Sequence, residues 1–380
     1  MFETGFPVRA SLSLTLAAVI MIGCADSPPP VKPPVIPHPE VVIGAGKVVP
    51  DMPGETHLRN VRQITFGGEN GEAYWSNDGS KLIWQTHGGQ SGHPCDQIYI
   101  MDLRTGERHM VSTGNGRTTC AYFMQGDKRI LFASTHLADI KCPPSVWRPG
   151  REYVWGIYKG YDIFTANPDG SDLRRITNTP GYDAEATVCP VSGLIVFTSV
   201  RDGDIELYSM EPDGTDVRRL TNRPGYDGGA FFSHDGTKLV QRSGYLKDDK
   251  EKQEFYALLA KGLVKPSHME ITVLDRDGKN FRKVTNNGKA NFAPYWLPDD
   301  KRIIFASNME SKDGRDFDLY LIREDGTGQE KVTHNPSFDS FPMFSPDGKY
   351  LAFASNRHNP PGHERDTNIF VAEWVDAPKR

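Results

Sequence analysis

Six copies of one turn organise this chain and limit what it can fold into. They are "SNDGSKLIW" at Ser76, "MQGDKRILF" at Met124, "PVSGLIVF" at Pro190, "SHDGTKLVQ" at Ser233, "LPDDKRIIF" at Leu297 and "SPDGKYLAF" at Ser345. Their turn positions Gly79, Asp127, Gly193, Gly236, Asp300 and Gly348 are spaced 48, 66, 43, 64 and 48 residues apart. A period near 45, stretched twice by an insert of about 20, is the signature of a repeat architecture. Within each unit, short aromatic and β-branched runs alternate with Asp-Gly turns, as in "DIELYSMEPDGTDVRRLT", Asp204 to Thr221. Asp-Gly supplies the positive φ that tight hairpins need. Four antiparallel strands per unit, six times over, predict an all-β, six-bladed β-propeller. An open stack would need capping units, and none is visible.

"FSPDGKYLAFASNR", "DLYLIREDGTGQEKVT" and "DIFTANPDGSDLRRITN" resemble the TolB-type propeller repeats of bacterial periplasmic proteins. The resemblance runs from about Leu58 to Val375. It implies a propeller over 57–376 and a channel mouth able to receive a protein partner. The additional N-terminal α/β domain of TolB has no counterpart here, where a short proline-rich stretch stands instead. TolB-like repeats also occur in oligogalacturonate lyases, which place a metal and histidines on a similar scaffold. No G-x-S-x-G nucleophile elbow accompanies the propeller.

One tetrad is out of place. "RQIT", Arg62 to Thr65, has no unit before it, while the last unit ends after "NIFVAEWV" with no fourth strand. Pairing Val61–Thr65 beside Asn368–Val375 would complete blade six, closing the ring with an N-terminal strand and removing two open edges.

The N-terminus carries an address. Ala10 to Gly23 is an apolar run of 14 residues ending in "MIGC", which resembles a bacterial lipobox with Cys24 as the lipidated residue. The expected division is a signal peptide over 1–23, lipidated Cys24 with a proline-rich tether over 24–56, then the propeller. This implies export to the periplasm and anchoring to the outer or inner membrane by lipid alone. With no dense Lys/Arg stripe in a chain of net charge -5, nucleic acid is not an expected partner.

Propeller geometry puts the short turns on one face and the long strand two–three loops on the other. Long loops occupy 86–96, 135–162, 244–270 and 356–366, so the decorated face is the functional candidate. In the third of these, Lys247 to Gly262 has helical spacing of Phe255, Leu258 and Leu259. A polar ring recurs nine or so residues before each turn position: Asn70, Thr118, Asp183, Asp227, Asn291 and Asp339. It can bind a ligand at the channel mouth, or it can cap interblade turns. His87, His93, His136, His358 and His363 fall in loops of blades six, one and two. Neutral imidazoles there could hold a divalent metal, although their spacing matches no compact motif and solvated loop histidines are the competing reading. Cys95, Cys120, Cys142 and Cys189 allow three pairings; Cys95–Cys142 is preferred because both lie in long loops of adjacent blades. The leading expectation is a monomeric, cofactor-free and non-enzymatic propeller. It would bind an envelope protein or polysaccharide. The alternative is a metal-dependent polysaccharide lyase or hydrolase using the histidines.

Overall fold

The computed structural model describes residues 40–146, 153–336 and 338–376. The expected signal peptide over 1–23, the expected lipidation site Cys24 and the proline-rich stretch to residue 39 lie outside the described residues. Six antiparallel sheets make the blades of a six-bladed propeller. Blade one runs through Glu69–Trp75, Lys81–His87, Gln97–Asp102 and Arg108–Met110. Blades two to five repeat this order from Thr118, Asp183, Asp227 and Asn291. Blade six contributes Asp339–Phe344, Tyr350–Ser355 and Asn368–Trp374. Leu58–Gln63 pairs antiparallel with this last strand, Leu58 opposite Trp374 and Gln63 opposite Phe370.

The threonine of the "RRIT" tetrads has a common task. Its hydroxyl accepts the backbone N–H of the third strand: Thr177 from Ile163, Thr221 from Leu207, Thr285 from Ile271 and Thr333 from Leu319, at 2.8–2.9 Å. Ser112 does this for Ile98 in blade one. Thr65 does it for Ile369 in blade six, at 2.8 Å across 304 residues of sequence. The side chain thereby satisfies a buried N–H just where the outer strand leaves the ladder.

The folded body starts before the expected boundary at 57. Lys47–Val48 pairs with Leu58–Gln63 as a fifth strand, and Val41, Ala45 and Val49 are buried. The proline composition that suggests a tether stops near Pro39, and the apolar residues after it have a core to enter. Glu55, though charged, is also buried, meeting Arg357 at 2.9 Å beside Asp339.

Asp127 and Asp300 replace glycine in two of the six turns, with φ of 59° and 51°. Each carboxylate reaches back to the preceding blade's turn. Asp127 accepts the N–H groups of Asn77 and Asp78, and Asp300 those of His234 and Asp235, at 2.8–3.0 Å. The left-handed backbone, uncommon outside glycine, is exchanged for two charge-assisted bonds between blades.

Candidate functional site

The six polar-ring residues do begin the innermost strands, but they are not an open ring of acceptors. All are at most 5% exposed. Asn70 donates to the carbonyls of Gly67 and Thr367 and accepts from the Trp84 indole. Thr118 donates to the Asp96 carbonyl, and Asn291 to that of Met269. Asp183, Asp227 and Asp339 are held by Arg201, Arg223 and Arg357. Burial and these partners give the six residues a structural role within and between blades, the capping side of the expectation; ligand binding at them is neither shown nor contradicted by these contacts.

The five histidines are likewise dispersed in role. His87 is gripped by Asp96 at 2.7 Å and Glu69 at 3.6 Å, which push its pKa up to about 10. A metal ligand must be a neutral imidazole, so in this arrangement a metal at His87 would have to displace a proton held by two carboxylates. His93 bonds the Tyr99 hydroxyl at 3.0 Å. His136 bonds Ser134 and packs its ring on Phe164. His363 meets Asp366 at 3.0 Å. His358 stands at φ 60°, and burial, then Arg357, lowers its pKa. His358 and His363 line one cavity together. Among the described residues no group of three or more His, Cys, Asp or Glu is arranged to hold a metal ion. Cys95 and Cys142 form a disulfide between the blade-one and blade-two loops, Cα–Cα 5.8 Å, while Cys120 and Cys189 are buried free thiols.

The two long inserts meet. Trp155–Gly156 from blade two pairs with Leu263–Val264 from blade four. The helix Asp249–Leu259, capped by Asp248, precedes the latter strand; it buries Phe255, and its Tyr256 hydroxyl donates to Asp204 of blade three. Trp155 then packs on Phe292 of blade five at 5.0 Å and Tyr226 of blade four at 6.3 Å. Blades two and five are opposite each other in a six-membered ring. A blade-two side chain that touches blade five must therefore cross the channel mouth.

Beneath Trp155 lies a second ring, which sequence reasoning missed. Every innermost strand has a bulge, and the bulged residues Glu72, Cys120, Glu185, Gly229, Ala293 and Phe341 all have positive φ. A bulge re-aims its side chain, here toward a small cavity of about 20 Å3. Each of these residues lies two positions after the polar ring. Aligning the repeats shows Glu72 and Glu185 as charges in a column otherwise small or apolar, and that was the available signal. Glu185 is fully engaged: it pairs with Arg242 and accepts from Tyr226, Thr198 and the Gly229 N–H. Glu72 Oε2 is buried without a partner.

Burial, opposed by a bond from Cys120 and reinforced by Glu185, raises the Glu72 pKa from 4.5 to about 7. The folded state therefore keeps a proton that the unfolded chain has lost above about pH 4.5, and stability falls as pH rises through 7. Glu72→Gln should abolish this fall, leaving the variant about 3 kcal/mol more stable than the parent above pH 8 and close to it at pH 4.5. Urea midpoints at both pH values check this. A parent–variant difference that does not change with pH would contradict it.

A larger, open cleft of about 480 Å3 lies at the seam of the ring, on the long-loop face. Lys47, Val48 and Phe66 form one wall; His358, His363 and Asp366 of the blade-six loop form the other. Val48 and Phe66 are 54% and 40% exposed.

No family model matches the chain. Among solved structures it is similar to hydrazine synthase of Kuenenia stuttgartiensis, at 15% identity and TM-score 0.55, over 79% of this chain and 47% of that one. It is also similar to an oligogalacturonate lyase of Vibrio parahaemolyticus, at 11% identity and TM-score 0.50, over 88% and 100%. TolB of Acinetobacter baumannii gives 18% identity and TM-score 0.49 over 69% of this chain, which spans only 53% of TolB's length. At these identities the first two are likenesses of fold alone. Fold does not carry chemistry.

Proposed function

We propose that this chain is an exported, lipid-anchored β-propeller of the bacterial cell envelope that binds a partner protein through its long-loop face. The export signal and Cys24 support the address; lipid on Cys24 would hold the propeller at the outer or inner membrane. Among the described residues no helix is long and apolar enough to cross a membrane. The observation that carries the binding reading is the cleft at the seam. The paired inserts cover the channel side of this face, and the cleft keeps about 480 Å3 open beside two exposed apolar side chains. A rigid scaffold presenting an aromatic anchor at a cleft is the usual form of an interaction hot spot.

A photo-crosslinker at Pro360, introduced in cells, should trap a partner protein. Phe66→Asp, changing an exposed side chain, should cut the yield by about tenfold or more without altering thermal stability. Trapping only from the short-turn face, for example at Asp213, would refute the face assignment. Retention on purified envelope polysaccharide with no trapped protein would replace the protein partner by a polymer.

A further inference from the structure

We infer that the capped channel is a second binding site, built to receive the ammonium group of a small organic cation beneath Trp155. Three independent features carry this. The first is charge. Glu185 is neutralised by Arg242 and has its remaining capacity used by Tyr226, Thr198 and Gly229. Glu72 lines the same cavity; Cys120 is the side chain that bonds its carboxyl, and its buried Oε2 has no hydrogen-bond partner in the geometry. A carboxylate oxygen cut off from water and left without a donor is costly unless the group takes a proton or meets a cation.

The second feature is the wall. Tyr74, Tyr122, Phe231 and Tyr295 form a connected cluster with ring centroids 5.4–6.4 Å apart, and Tyr74 and Phe231 line the cavity with Glu72. Aromatic faces beside an anion are the usual surroundings of an ammonium ligand. The channel already shows this chemistry once: the Arg242 guanidinium lies 5.0 Å from the Trp155 ring centroid and 5.2 Å from that of Tyr226. The third is the cover. About 20 Å3 holds roughly one water-sized group. An ammonium head fits that space; Trp155 stacks on Arg242, which lines it, so a larger substituent passing Arg242 on that side would displace Trp155. The backbone around Trp155 is tied, among the described residues, by a ladder of two residue pairs, Leu263 with Gly156 and Val264 with Trp155, plus the Ile157 N–H to the Gly262 carbonyl, while its ring rests on Phe292, Tyr226 and Arg242. So short a ladder can open while the blades stay intact.

The charged and titratable groups that act on Glu72 are Cys120, Glu185, Arg242 and Asp96. An ammonium ligand needs Glu72 ionised, so its affinity should fall about tenfold between pH 8 and pH 6, as Glu72 takes up its proton.

The test is calorimetric titration of the folded chain with ethanolamine at pH 8, using ethylene glycol as the uncharged counterpart. Ethanolamine should bind and ethylene glycol should not. Glu72→Gln, which removes a buried charge and keeps the shape, should lose binding at least tenfold while its thermal stability is kept or raised. Trp155→Ala should speed association in stopped-flow measurements by tenfold or more. Equal binding by Glu72→Gln, equal binding of ethylene glycol, or no ethanolamine binding to the parent would each overturn the inference. The cleft does not enter any of these measurements, so their failure leaves the partner-binding reading untouched.

Discussion

Arg357→Ala is expected to destabilise the propeller by about 3–5 kcal/mol, the cost of breaking a buried ion pair from one side. Arg357 is 3% exposed and lies between two carboxylates that are 2% and 0% exposed. Its guanidinium meets Glu55 at 2.9 and 3.1 Å and both oxygens of Asp339 at 3.1 Å. It also lies over the rings of Phe353 and Phe370. Burial already pushes Asp339 up to about 6 even with the arginine present. Removing the cation leaves two carboxylates buried together, and one of them must protonate or drag in water. The loss should therefore be smaller at pH 5 than at pH 8, because the freed carboxylates can then be neutral. Denaturant unfolding at the two pH values measures both claims. A loss below about 1 kcal/mol at pH 8 would place Arg357 among screened surface charges and refute the account.

The double replacement Glu55→Gln with Arg357→Met separates the pair from its parts. It removes both charges and leaves only Asp339 to be neutralised. It should thus lose less than Arg357→Ala alone, as uncharged substitutes for buried ion pairs often do. A double variant less stable than the single one would show that the packing of these side chains, not their charge, dominates.

The propeller itself was legible because its period is written in turns. Asp-Gly recurs at positions where the backbone needs positive φ, and no other fold uses four-strand units at that spacing six times. The "RRIT" tetrads were legible for a similar reason, since the threonine hydroxyl repeats one hydrogen bond in every blade but blade one, where serine makes it. What could not be read was direction. The polar ring looks like a set of acceptors facing the channel, yet Asp183 and Asp339 turn to arginines of their own blades. The bulge two residues later rotates Glu72 and Glu185 inward instead, and a bulge has no sequence signal when glycine fills only Gly229 of its six positions. The partners of the histidines were not legible either. Placing loops on neighbouring blades brings chain segments close, but His87 found Asp96 and His93 found Tyr99 within their own blade. Long-range contact between the two inserts, fixed by a two-residue ladder, was beyond any local pattern.

Truncation to begin at Phe66 should have the largest effect of all. It removes Val41, Val49, Leu58, Val61 and Ile64, each no more than 9% exposed. At about 1.5–3 kcal/mol per side chain, their gross contribution is about 8–15 kcal/mol, comparable with the whole stability of an ordinary domain. The same cut removes Glu55, leaving Asp339 as the one carboxylate on Arg357, and removes the Thr65 hydroxyl that receives Ile369. It also bares Asn368–Trp374, seven residues of mostly buried strand, as an open edge. The expected product is a chain that aggregates or unfolds below 37 °C, whereas one beginning at Glu40 keeps a cooperative transition. Size-exclusion chromatography and thermal unfolding distinguish them. A synthetic peptide of residues 40–65, supplied in trans, should bind the bare edge and restore a monomer with cooperative melting. If the chain starting at Phe66 melted within about 2 °C of the longer one, the N-terminal strands would be decoration on a blade already complete without them.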